Sequence, residues 1–221
     1  MQRQIYTPQI FIALLIIISF WIPTGTANGY SPDITQKQTD NPFQIIHNDV
    51  PYYSQCNGYW SNTTLGRCND TVCSKGCAVS AVAMVFSYYG VSVDPGTLDH
   101  WLTSHCGYQN YDQDKEIWTC GGCQIVWVTA AKYTSQITYE GTFGRDWDRL
   151  QLELDHRHPV ILDVGQHFVV ATGYEQTESG HTYFVNDSGY EAQTLAEYGN
   201  TFRRMFVYHP VTPDLPPQLT E

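Results

Sequence analysis

Seven cysteines, Cys56, Cys68, Cys73, Cys77, Cys106, Cys120 and Cys123, are the first residues in this chain whose types and spacing suggest chemistry. An exported protein would pair six of them, so the odd count asks for one free thiol. Cys77 is the candidate. It opens the stretch 76–90, G-C-A-V-S-A-V-A-M-V-F-S-Y-Y-G, whose apolar residues cover every face of a 3.6-residue helix between two glycines. Such a helix is buried all round, and Gly90 is its expected stop because glycine accepts the left-handed conformation there. At the opposite end, unpaired N–H groups and the helix dipole favour a thiolate. Two readings fit: a thiol nucleophile, or a half-cystine that begins a core helix.

A thiol nucleophile needs a base, a group that orients the base, and donors for the oxyanion. His167 heads the run H-F-V-V-A-T-G-Y directly after Gly165 and Gln166, and Asp187 ends the run F-V-N-D-S-G-Y. A hairpin between the two runs would bring these ends together, with the acid on one ring nitrogen and the other left for the thiol. Gln55, at the end of V-P-Y-Y-S-Q, has a side-chain amide able to join the Cys77 backbone N–H in donating to an oxyanion. Taken singly, each has a plainer account: a strand-edge histidine, a turn-forming aspartate, a polar turn residue.

The remaining inventory narrows the field. Cys120 and Cys123 form a C-x-x-C, but polar residues 112–116 precede it where a redox motif would have a strand, and no second pair completes a zinc site. Structural disulfides are the expectation. Cys56, Cys68 and Cys73 form one cluster and Cys106, Cys120 and Cys123 another, so full pairing needs at least one bond between the clusters. The eight histidines make no close-spaced ligand set, and His156 and His158 read as exposed. No metal or organic cofactor is expected. Net charge is −11, which argues against nucleic acid or anionic lipid as partner.

The elements that must position these groups follow from patterning. Residues 10–22 are an apolar run broken only by Ser19, after Arg3 and before Pro23 and the small residues around Ala27. The run is shorter than the roughly 20 residues of a membrane span. It reads as a signal peptide, 1–27, cut after Ala27; an uncleaved anchor is the alternative. Residues 28–44 read as a linker, 45–210 as one domain and 211–221 as a loose tail. Within the domain a strand is expected near 45–53 and a cysteine-stapled loop over 56–74, with N-x-T sequons at Asn62 and Asn69. Helices are expected at 77–89, 95–102, 123–133 and 146–158, with a second cysteine-bearing loop at 105–122. Valine-, phenylalanine- and tyrosine-rich runs at 159–164, 167–174, 181–187 and 203–209 read as antiparallel strands. A helical first half against a strand-rich second half is an α+β fold of two layers.

The set V-P-Y-Y-S-Q, S-K-G-C-A-V-S-A-V-A-M-V-F-S-Y-Y-G, H-P-V-I-L-D-V-G-Q-H-F-V-V-A-T-G-Y and Y-F-V-N-D-S, in that order, resembles the bacteriocin-processing peptidases that cut double-glycine leaders. It is more similar still to their free-standing secreted relatives in the papain-like superfamily. The resemblance covers roughly 45–210. It implies a papain-like fold with Cys77 as nucleophile, His167 as base, Asp187 as orienter and Gln55 as oxyanion donor. Ala78 and Val79 stand where the family often has glycine and proline, and Ser188 follows Asp187 in place of the usual proline. The implied partner is a peptide or protein substrate, taken by a monomer with no stable membrane insertion once the leader is removed. Other amide chemistry on the same fold, at cell-wall peptide or glutamine side chains, and a non-catalytic disulfide-held binding domain are the rivals.

Overall fold

The computed structural model describes residues 44–211; the leader, nearly all of the linker and most of the tail lie outside them. The first strand, β1 (Gln44–His47), is followed by α1 (Val72–Lys75), α2 (Cys77–Tyr88) and α3 (Pro95–Ser104). A small sheet comes next, β2 (Tyr108–Asp112), β3 (Ile117–Cys120) and β4 (Gln124–Ile125), then the single turn α4 (Trp127–Ala130). The second half runs β5 (Ile137–Gly144), α5 (Trp147–Asp155), β6 (Val160–Asp163), β7 (Phe168–Thr177), β8 (Gly180–Asn186) and β9 (Arg204–Pro210).

Strand β7 is the hub of the main antiparallel sheet, ordered β1-β7-β6-β9-β5 with β8 also on β7. Its first residues pair β6, residues 173–176 pair β1, and β8 follows it along most of its length. Side chains alternate across the sheet, as the period of two requires. Ile161, Val170, Phe206 and Tyr208 join the core around α2, while Val160, Leu162, Val169, Ala171, Met205 and Val207 join a second core with Leu150 and Leu154 of α5. Helices therefore cover both faces, and the two expected layers become three. The sequence signal behind this is the apolar runs of β6 and β7, which are continuous rather than alternating, the mark of a strand buried on both sides.

Val79 through Phe86 of α2 are all buried. Each fully buried valine, methionine or phenylalanine among them contributes about 1.5–3 kcal/mol, so the helix is held firmly against the sheet. It ends in a complete Schellman motif: Val91 N–H bonds Phe86 C=O at 3.1 Å, Gly90 N–H bonds Ser87 C=O at 3.0 Å, and Gly90 takes φ +85°.

Several elements differ from expectation. The first strand stops at His47, and residues 123–133 hold a two-residue strand, one helical turn and a short 3-10 turn rather than a helix. The stretch 105–122 contains the β2–β3 hairpin, whose register Gln109–Cys120 to Asp112–Ile117 brings Cys106 near Cys120. Strand β5 had no counterpart in the sequence reading: its pattern I-T-Y-E-G-T-F-G is half polar, because one face is exposed and it lies at the sheet edge beside β9. Among the described residues no helix is long and apolar enough to cross a membrane.

The cysteines pair as Cys56–Cys73, Cys68–Cys123 and Cys106–Cys120, and Cys77 is free. The Cys68–Cys123 bond joins the two clusters. It closes a separation of 55 residues, worth about 4 kcal/mol in the chain-entropy account of disulfide stabilisation.

Candidate active site

Cys77 is the first residue of α2, directly after Gly76. The helix before it, α1, is one turn long and held by a capping box between Thr71 and Ser74. Two helices abutting at residue 76 leave no room for a side chain there: a Cβ would lie 2.4 Å from the Val72 carbonyl oxygen. Glycine at 76 is thus what lets the chain turn sharply enough to present Cys77 at a fresh helix start. The thiol is partly exposed, and the backbone N–H groups of this first turn have no intrahelical acceptor.

His167 precedes β7 and Asp187 follows β8, so the β7–β8 hairpin sets them side by side, as its register of Val170 opposite Asn186 requires. His167 Nε2 lies 2.6 Å from Asp187 Oδ1. The same oxygen accepts from the Gly189 N–H at 2.9 Å and the Tyr190 N–H at 3.1 Å, and the Tyr198 hydroxyl donates to Oδ2. Burial alone would push the Asp187 carboxyl up; the donations from His167, Tyr198 and the two backbone N–H groups overcome it and hold the pKa far below the usual carboxylate range. Asp187 is thereby a fixed anion with its lone pairs occupied.

Burial also works against the charged form of His167, and here too it is outweighed. Hydrogen bonds to Asp187 and to the Cys77 sulfur, together with both negative charges, raise the His167 pKa to about 9. Since Nε2 is committed to Asp187, Nδ1 is the nitrogen left for the thiol. An imidazole that keeps its proton at neutral pH is the state such an environment favours. The Tyr190 ring meets the imidazole edge-on at 5.0 Å between centroids, and Tyr198 lies at 6.2 Å.

Gln55 is buried on the same side of the hairpin. Its Nε2 donates to the Cys73 carbonyl at 2.6 Å, its Oε1 accepts from the Ser188 hydroxyl at 3.0 Å, and its backbone N–H bonds the Ser188 carbonyl at 2.9 Å. The Cys56–Cys73 disulfide fixes the next residue to α1, so the glutamine and the thiol-bearing helix start share one anchor. One amide N–H of Gln55 is used by Cys73; the second has no protein partner among the described residues. Gln55 and His167 converge on Gly189, where a Cβ would lie 3.0 Å from His167 Cε1 and 3.2 Å from Gln55 Oε1. Any side chain at 189 would wedge them apart.

The four residues singled out from sequence therefore fall in one place. Three further ones were not singled out: Tyr198, Ser188 and Gly189. The first arrives from a 3-10 turn, Leu195–Tyr198, that no sequence period announces, although its capping box T-L-A-E was a usable signal. Ser188 and Gly189 directly follow Asp187; Ser188 stands out in the sequence only as a departure from the family's proline, and Gly189 carries no signal of its own. A correction concerns His158, which is half-buried against Glu153 and His209 rather than freely exposed.

Among curated proteins none matches this chain. A solved structure similar to it, a protein from Bacillus anthracis assigned as C39-like peptidase, is 16% identical, with a TM-score of 0.45 over 74% of this chain and 97% of that one. The sequence profile of the Peptidase_C39 like family matches residues 47–209, a span that includes Gln55, Cys77, His167 and Asp187. On that match the chain belongs to the Peptidase_C39 like family.

Proposed function

We infer that this chain is a secreted cysteine peptidase of papain-like fold, akin to the free-standing relatives of the double-glycine leader peptidases. One observation carries the reading: the single unpaired thiol opens a buried helix beside an imidazole whose far nitrogen is held by a buried carboxylate. The Cys77 thiolate attacks the substrate carbonyl carbon, forming the C–S bond as the carbonyl π electrons move to oxygen. The Cys77 backbone N–H and the spare N–H of Gln55 stabilise that oxyanion. His167 Nδ1–H then protonates the departing amine as the C–N bond breaks. A water follows, giving its proton to Nδ1 while its oxygen attacks the thioester, and the acid leaves as the thiolate reforms. Asp187 keeps its charge throughout, holding the Nε2 proton and the ring plane.

Export is supported by three disulfides, which persist in oxidising compartments. The proposed organisation is a leader over 1–27, a linker to 44, the catalytic domain over 45–210, and a tail. The decisive experiment is alkylation of the oxidised native protein by iodoacetamide, with casein hydrolysis followed in parallel. One modified residue, Cys77, and loss of hydrolysis on modification are expected. A native protein that takes no label, or a Cys77→Ala protein that still hydrolyses casein, would sink the reading. Turnover of purified cell wall or of a glutamine–amine pair in place of casein would move the substrate class while keeping the mechanism.

A further inference from the structure

At the opposite end of the main sheet three side chains with no part in the chemistry above converge. Glu153 lies in α5, His158 in the turn between α5 and β6, and His209 near the end of β9. Glu153 Oε2 faces both rings, 3.1 Å from His158 Nδ1 and 2.7 Å from His209 Nε2. One ligand atom from each residue lies within 4.8 Å of the others. The ring centroids of the histidines are 4.0 Å apart. The carboxylate is nearly buried, with 8% of its side chain exposed, whereas the rings are 23% and 28% exposed, so the cluster has an open side.

We propose that Glu153, His158 and His209 form a zinc site, with water as fourth ligand. Two imidazoles and a carboxylate are a donor set suited to zinc. Tetrahedral bonds of about 2.0–2.2 Å put neighbouring ligand atoms about 3.4 Å apart. To reach this the 3.1 Å separation opens by about 0.3 Å and the 2.7 Å one by about 0.7 Å. The ion accepts lone pairs from His158 Nδ1 and His209 Nε2, and each ring keeps its proton on the other nitrogen. For His209 that nitrogen faces a carboxylate: Nδ1 lies 3.8 Å from Glu140 Oε1 across the β5–β9 pair, longer than a hydrogen bond but within ion-pair range. A carboxylate behind a ligating histidine is the usual outer-shell partner, fixing tautomer and ring orientation. Arg149 Nη2 holds the other Glu153 oxygen at 3.3 Å, leaving Oε2 to bind through one oxygen. With Glu140, Glu153 and Arg149 all charged, a zinc dication brings the cluster to +1, a modest charge at a solvent-facing edge.

The site is separate from the thiol. The His158 ring meets that of Tyr89, just past the C-terminal end of α2, while Cys77 sits at the other end of this 12-residue helix, about 18 Å away at 1.5 Å per residue. The zinc would clasp α5, the entry to β6 and the end of β9, stabilising the folded state in proportion to its occupancy.

The test uses chelator-stripped full-length protein carrying Cys77→Ala, which removes the thiolate as a competing ligand and makes the outcome independent of any peptidase activity. Titration with Zn²⁺ should find one ion per chain and a raised melting temperature. His158→Gln and His209→Gln should each weaken binding by more than the about 10- to 100-fold typical of losing an outer-shell partner, and Glu140→Gln by about that amount. Co²⁺ in the protein with all three ligands intact should give the intense visible band of a four-coordinate site, a readout that survives if a ligand variant fails to fold. No bound zinc, a faint six-coordinate cobalt spectrum, or binding unchanged in both histidine variants would overturn the site.

Discussion

The sheet carries a carboxylate–imidazole cluster at each end, and the two are built to opposite rules. At one end Asp187 is saturated: His167, Tyr198 and two backbone N–H groups supply four donors to two oxygens. Its imidazole has one nitrogen committed, and Cys77 is the other group that helps raise the ring's pKa. At the other end Glu153 shares one oxygen between two rings and gives the second to Arg149, and its histidines face water on one side. A saturated carboxylate fixes one ring, an arrangement that suits moving a proton. A shared carboxylate brings two rings to one point, an arrangement that suits an ion. On the proposed readings the same two residue types serve different chemistry because of how many donors each carboxylate is given.

The sharpest way to break this comparison is to cut each end in turn. Cys77→Ala should abolish hydrolysis with the fold intact, since alanine fits the helix start and removes only the sulfur. His167→Ala should be nearly as severe, because no other group in the cluster can carry the proton. His209→Gln, at the far end, should leave hydrolysis unchanged while changing metal binding. Steady-state rates for the three, with circular dichroism to check folding, test the division; a dead His209→Gln enzyme with native secondary structure would end it.

The next effect belongs to Gln55. Both its amide ends are anchored, by Cys73 and by Ser188, so its remaining N–H is held in place before substrate arrives. Gln55→Ala should lower kcat by about 10²- to 10³-fold, as loss of an oxyanion donor does elsewhere. Melting temperature measured on the same sample separates the roles: a full rate with a lowered melting point would make Gln55 a purely structural brace between the hairpin and α1.

How much of this was legible in the sequence depends on how local each signal is. Cys77 was legible because a glycine, a cysteine and an apolar run lie next to one another, and His167 and Asp187 because each sits at the end of a valine-rich run. The hairpin between them needs only a short turn, so their meeting follows from chain connectivity. Edge strand β5 was hidden by its exposed, half-polar face, and the β2–β3 hairpin by charged residues at its tip. The Glu153 cluster was hidden for a different reason: His209 lies 56 residues from Glu153 in sequence, and only the β6–β9 pairing brings them together. Tyr198 reaches Asp187 from a turn with no periodic pattern. Cross-cluster pairing of the cysteines followed from counting alone, but which pair crosses did not.

Replacing Asp187 by asparagine keeps the shape and removes the charge, so it tests whether saturation or charge matters at the catalytic end. The expected loss is partial, below the about 10²- to 10⁴-fold that general acid–base catalysis contributes. The pH profile carries the diagnosis. In the native protein His167, raised to about 9, keeps its proton through neutral pH, and the rate should fall as pH rises through that value. Its contribution to stability has the same sign: fully present below the ordinary histidine value of about 6.5 and lost as pH climbs through about 9. Asp187→Asn removes part of what raises the pKa, so both the basic limb of the rate and the alkaline loss of melting temperature should move to lower pH. Unmoved limbs would mean that Asp187 does not set the charge of the ring.

The smallest effect should come from Tyr198→Phe, which removes one of the four donors to Asp187 and nothing that touches substrate. Three donors remain, including the His167 bond, so the rate should fall only a few-fold through looser control of the carboxylate plane. Stability should respond more clearly, because a hydrogen bond to a charged group is worth about 1.5–3 kcal/mol. The sign with pH follows from the depressed Asp187 pKa: its contribution exists above the ordinary carboxylate value and is lost as pH falls through the folded value. Removing a donor raises that folded value, so on acidification the loss begins near the ordinary carboxylate value in both proteins but ends at a higher pH, and is smaller, in the variant. At lower pH still, where Asp187 is protonated in both, the two melting curves should draw together. Melting temperatures measured against pH from neutral into acid decide it. A constant offset at every pH would reduce Tyr198 to a packing residue, and the catalytic end would then rest on three donors rather than four.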